Sequence, residues 1–155
     1  MRAKAIVFTL ILVCAATSVV LAKDNPHMGT WKLNEAKSKF APGSPKNTTV
    51  VYAMEGDNVK VTVDGVDGAG AATHNEWTGK FDGKSYPVSG DSTADERSYK
   101  VVNSRTMLLT NRKGSKVVIT GRIVVSPNGK TRTLTTTGTN AKGQRIRNVA
   151  VYDKE

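Results

Sequence analysis

The strongest constraint on this chain is a period-two alternation of apolar and polar residues, cut at short intervals by turn chemistry. Val59, Val61 and Val63 alternate with Lys60, Thr62 and Asp64, the pattern of a strand with one buried face. Thr48 to Glu55 places Val50, Tyr52 and Met54 on one side, and Thr73 to Phe81 places Asn75, Trp77, Gly79 and Phe81 in phase. Lys116 to Ser126 does the same with Val117, Ile119, Ile123 and Val125, and Thr131 to Thr139 carries a threonine at every odd position. Further strands are read at Gly29 to Asn34, Ser85 to Ser89, Arg97 to Val102, Thr106 to Asn111 and Gln144 to Asp153. Pro87 suits an edge or a bulge. Between the strands stand Gly56-Asp57, Asp82-Gly83, Asn103-Ser104, Lys113-Gly114, Pro127-Asn128-Gly129 and Ala141-Lys142-Gly143. These residues supply the positive φ or preset φ that tight turns need. The one helical candidate is short, Glu35 to Phe40, and Ala41-Pro42-Gly43-Ser44-Pro45 ends it. About ten short strands joined by hairpin turns predict an all-β, antiparallel up-and-down meander of about 8–10 strands. Such a meander removes its exposed edges by closing into a barrel.

The chain begins with Met1-Arg2-Ala3-Lys4, an apolar run from Ala5, and Val19-Val20-Leu21-Ala22. A cationic start, an apolar middle and small residues near the end are expected of a secretory signal peptide, residues 1–22, cleaved before Lys23. An uncleaved anchor and lipidation of Cys14 are the weaker readings, since bulky Val13 precedes that cysteine. A single barrel domain, residues 23–155, would remain, exported to the periplasm or secreted. Cys14 is the only cysteine and would leave with the signal, so the exported chain would carry no thiol and no disulfide. Net charge is +10 for the whole chain and +8 once Arg2 and Lys4 are gone. That balance favours anionic partners such as lipid headgroups or wall polymers, although it also serves plain solubility.

Gly29-Thr30-Trp31 resembles the Gly-x-Trp that opens the first strand of lipocalins and related calycin barrels. The chain is also similar to small exported bacterial lipocalin-like proteins through Asn75-Glu76-Trp77-Thr78-Gly79-Lys80-Phe81-Asp82-Gly83 and Gly138-Thr139-Asn140-Ala141. The resemblance implies a lipocalin-like barrel in which Gly29 and Trp31 close one end. It also implies that an arginine of the last strand, Arg145 or Arg147, packs across the tryptophan. Two departures stand out: the helical candidate follows the first strand rather than preceding it, and the family's usual disulfide is missing. The implied activity is binding of a small hydrophobic or amphipathic ligand in the barrel, with Tyr52, Met54, Trp77, Phe81 and Tyr99 as interior candidates.

Catalytic chemistry finds little support. His74 and Glu76 share a strand face and could form half of an acid–base site, or an exposed polar pair. No His-x-x-x-His or Glu-x-x-His spacing suggests a metal, and no cofactor motif is present. The glycines at 65, 68 and 70 lack the lysine and helix of a phosphate loop. Too few aromatics interleave with the basic residues for nucleic acid. Two readings of a monomeric protein therefore remain open. One is a binding module with a hollow interior. The other is an envelope-associated protein with a filled core, whose basic surface contacts anionic lipid or cell-wall polymer. Which holds depends on whether the barrel interior is open.

Overall fold

The computed structural model describes residues 25–140 and 142–155. The expected signal peptide, residues 1–22, lies outside them. Ten strands follow one another: β1 (Gly29–Leu33), β2 (Lys46–Glu55), β3 (Asn58–Val66), β4 (Ala72–Gly79), β5 (Tyr86–Ser89), β6 (Glu96–Asn103), β7 (Thr106–Lys113), β8 (Lys116–Val125), β9 (Thr131–Thr139) and β10 (Arg145–Lys154). Each pairs antiparallel with its neighbours in sequence, and β1 pairs with β10, so the meander is a closed barrel. The ring is thinnest at β5, where Pro87 cannot donate to a ladder and only two residue pairs register on each side. The helical candidate at 35–40 shortens to a single 3-10 turn, Glu35–Lys37, capped by the Asn34 side chain.

The inward residues are those the alternation selects. Val50 and Tyr52, Val61 and Val63, Trp77, Tyr99, Met107 and Leu109, Ile123 and Val125, Ala150 and Tyr152 are all buried. Burying one such aliphatic side chain contributes about 1.5–3 kcal/mol. The phase fails at three places, one of them Val101, which shares a face with Tyr99 but is 45% exposed where the β6–β7 register shifts between Val101 and Asn103. Met54 is 47% exposed, because β2 and β3 run past the rim as a hairpin that turns at Gly56. Val117 is 41% exposed, because the β7–β8 register shifts between Asn111 and Arg112 and releases the end of β8 from the inward phase. Phe81 lies just past the end of β4, yet its ring still stacks on Trp77 at 6.4 Å.

The two ends of the barrel differ. At the end holding the start of β1 and the end of β10, Trp31, Trp77, Met107, Val125 and Tyr152 are no more than 1% exposed. Among the described residues, that end is closed. The opposite end is crossed by the segment from Asn34 to Pro45, which links β1 to β2. Asn148 of β10 pins this segment: its Oδ1 accepts from the Ala41 amide at 2.8 Å and from the Ser44 hydroxyl at 3.2 Å. A Lys39–Val149 bridge adds a second tether.

Candidate functional site: the open end and the chamber beneath it

The closed end is built around Trp31. Its Nε1 donates to the His27 carbonyl at 2.9 Å, which ties the lead-in segment under the barrel. Gly29 adopts φ +107°, and the Lys154 side chain passes 3.1 Å from where a Cβ would stand, so both backbone and space favour glycine there. Lys154 Nζ then lies 5.0 Å from the Trp31 ring centroid.

A second cation covers Trp31 from within the barrel, and it is Arg132 of β9. Its guanidinium carbon lies 4.9 Å from the Trp31 ring, 4.9 Å from Tyr52 and 4.8 Å from Tyr152. The expected partners, Arg145 and Arg147, are both exposed. Register explains the correction. Trp31 pairs with Lys154, whereas Arg145 and Arg147 stand at the far end of β10, out of phase with the inward residues Ala150 and Tyr152.

Four of the five interior candidates meet in one aromatic cluster. Tyr99 packs edge-on to Trp77 at 4.8 Å, to Phe81 at 5.6 Å and to Tyr52 at 5.9 Å. Met54 stays outside, at the rim. Such edge-to-face contacts contribute about 0.5–1.5 kcal/mol each beyond the area they bury. The cluster fills the half of the barrel nearest the closed end.

Above this plug a polar cluster stands among aliphatic walls that include Val50, Val63, Leu109, Ile123 and Leu134. Arg97 of β6 is buried beside three acceptors: its Nε donates to Asn111 and its Nη1 to Asn75, both at 3.1 Å, while its Nη2 pairs with Asp91 at 3.1 Å. Its backbone carbonyl accepts from Trp77 Nε1 at 2.8 Å, locking the network onto the aromatic plug. A chamber of about 90 Å³ lies here, with Arg97, Arg132, Asn47, Asn111, Tyr52 and Tyr99 among its lining. That is room for a few water molecules, each occupying roughly 30 Å³. Burial pushes the Tyr99 phenol well above the ordinary value.

The chamber lies below a wider hollow of about 360 Å³ at the open end. Pro42, Pro45, Val118, Ile119 and Ile146 give it apolar walls, and Ser44, Thr93, Thr136 and Asn148 a polar rim. Ile119 and Thr136 belong to both spaces. Sequence reasoning did not single out Arg97, Arg132 or the mouth residues. The signal for the arginines was phase, since Arg97 shares a face with Tyr99, and Arg132 shares one with Leu134 opposite the threonine row.

His74 sits elsewhere, on the outer face of β4. Its Nδ1 is 2.6 Å from Asp64 Oδ1 and its Nε2 3.7 Å from Glu76, which also pairs with Lys60 at 3.0 Å. The Asp64 hydrogen bond raises the His74 pKa, and the one from Lys60 lowers that of Glu76. All these side chains are at least one-third exposed.

No family model matches the chain, and comparison with curated proteins finds no significant relative.

Proposed function

We propose that this protein is an exported, lipocalin-like carrier that takes one small amphipathic molecule through the open end of its barrel. The observation that supports this reading is the asymmetry of the interior: one end is sealed by fully buried aromatics, and the other opens into a half-apolar hollow with a chamber below. A concave, mostly apolar space with a few converging polar groups is the form that small-ligand sites take. The Gly29-Thr30-Trp31 opening and the cation over Trp31 agree with a lipocalin-like plan.

The test is native mass spectrometry and thermal shift with eight- to twelve-carbon amphiphiles. One molecule should bind per chain, and at a hundredfold excess over Kd it should add about 2.7 kcal/mol of stability. Ile146→Trp, at the mouth, should abolish both signals while leaving the fold intact. Absence of any binder, or binding indifferent to Ile146→Trp, would sink the reading.

A second reading rests on how charge is sorted around the barrel. From Arg97 to Tyr152 the chain has twelve Lys and Arg residues and no Asp or Glu; Arg97 and Arg132 are buried inside, and the other ten make the charge on the outer face from β6 to β10 almost wholly positive. Exposed Val102, Leu108 and Val124 lie on the same face, with Leu108 registered between Lys100 and Arg122. We propose this face as the one by which an envelope protein is held to anionic lipid or wall polymer. Co-sedimentation with phosphatidylglycerol vesicles should be strong at 20 mM salt and largely lost at 300 mM, since the screening length falls across that range. Lys100→Glu with Arg122→Glu should abolish it. Binding that ignores salt would exclude an electrostatic attachment.

A further inference from the structure

The interior holds two buried arginines, and only one has an anion. Arg97 has Asp91 and two asparagines. Arg132 is 2% exposed, and its Nε and Nη1 have no hydrogen-bond partner. The three rings around it offer π density to its charge, but neither tyrosine hydroxyl accepts from its Nε or Nη1. A buried cation whose donors go unmet costs several kcal/mol, and an anion placed against it recovers much of that. His27 supplies no counter-charge, since an imidazole is neutral or cationic, and burial followed by the nearby Arg132 and Lys154 charges holds it neutral at ordinary pH. Lys154 adds to the positive field rather than offsetting it. The uncompensated guanidinium lines the 90 Å³ chamber, which lies beneath the apolar walls of the mouth.

We infer that the ligand enters head first and is an amphiphile with a small anionic head, a carboxylate, seated in the chamber against Arg132. This rests on the carrier reading above and specifies its ligand class. The chamber has room for a carboxylate and the start of a chain, not for a bulky head. The rest of the chain would lie along Val118, Ile119 and Ile146 toward the mouth. Asn47 and Asn111, on the chamber wall, offer further donors to the second carboxylate oxygen.

Decanoate and decanol separate the anion from the apolar chain, and isothermal titration at pH 7.5 measures both. Decanoate should bind at least tenfold more tightly than decanol. Arg132→Met should remove that advantage, bringing decanoate to the affinity of decanol in the same variant, and Arg132→Lys should restore part of it. Equal affinities for the two probes, unchanged in Arg132→Met, would overturn the anion subsite while leaving the carrier reading intact. Failure of both probes to bind would overturn the two together. If Arg132→Met does not fold, the Nε–H resonance of Arg132 in the unaltered protein decides. It should shift with decanoate and not with decanol, and an equal response to both would count against the proposal.

Discussion

Asp91→Ala is expected to destabilise the fold by about 3–5 kcal/mol, the loss that follows when one partner of a buried ion pair is removed. The Arg97 and Asp91 side chains are 6% and 13% exposed, with 3.1 Å between Nη2 and Oδ2. Asp91 reaches Arg97 from the turn joining β5 to β6, and its other oxygen accepts from the Thr93 amide at 2.9 Å and hydroxyl at 2.7 Å. The substitution therefore strands a charge in the barrel and loosens the turn at the thinnest part of the ring. Asp91→Asn retains an acceptor for Thr93 while removing the counter-charge, so it should fall between the alanine variant and the unaltered protein. Urea unfolding midpoints read both. A loss below about 1 kcal/mol for Asp91→Ala would mean that Asn75 and Asn111 alone satisfy Arg97.

The second large effect comes with acid. Burial is the first cause that lowers the His27 pKa, from 6.5 to about 4, and the Arg132 and Lys154 charges act in the same direction. Its ring nitrogens have no hydrogen-bond partner. The folded protein thus holds His27 neutral at a pH where the unfolded chain has already bound a proton. Stability from this residue is complete above about pH 6.5. It declines as pH falls, and below about pH 4 no more is lost, on the order of 3 kcal/mol in all. Asp95, whose carboxylate the Lys113 hydrogen bond holds below its ordinary value, stays largely ionised in the folded protein across that window. The diagnostic is therefore His27→Phe, which fills similar space without a titrating group. Its unfolding free energy should be nearly flat between pH 6.5 and 4.5, where the unaltered protein slopes. Parallel slopes in the two proteins would assign the acid sensitivity elsewhere.

Local features of the sequence were enough to place the strands. Thr131 to Thr139 is a strand over those same residues, and Pro127-Asn128-Gly129 turns into it, because alternation and turn chemistry act over a few neighbouring residues. Closure of the meander follows, since each hairpin pairs with the next. Other features depend on partners distant in the chain. Met54 keeps the inward phase of Tyr52 but lies past the rim, and only the tilt and length of β3 decide where the rim falls. Val117 loses its phase through a register shift on the neighbouring strand. Arg97 and Arg132 share faces with Tyr99 and Leu134, but what keeps a charge inside is not local: an aspartate from one loop holds the first, and rings from β1, β2 and β10 surround the second. The arginine over Trp31 was placed one strand too late, since cross-barrel registry is absent from local pattern. Whether the barrel was open or filled was equally hidden. Four aromatic rings plug one half, and a segment pinned by Asn148 leaves the other end hollow.

The most direct measurement of the proposed site is a backbone amide spectrum of the protein, assigned and titrated with decanoate. A ligand entering the open end should shift Ser44, Thr93, Ile119, Thr136 and Ile146 in one saturable step, and leave Leu108, Arg122 and Val124 on the outer face unmoved. Shifts confined to that outer face, or no saturable change at the mouth, would contradict the account.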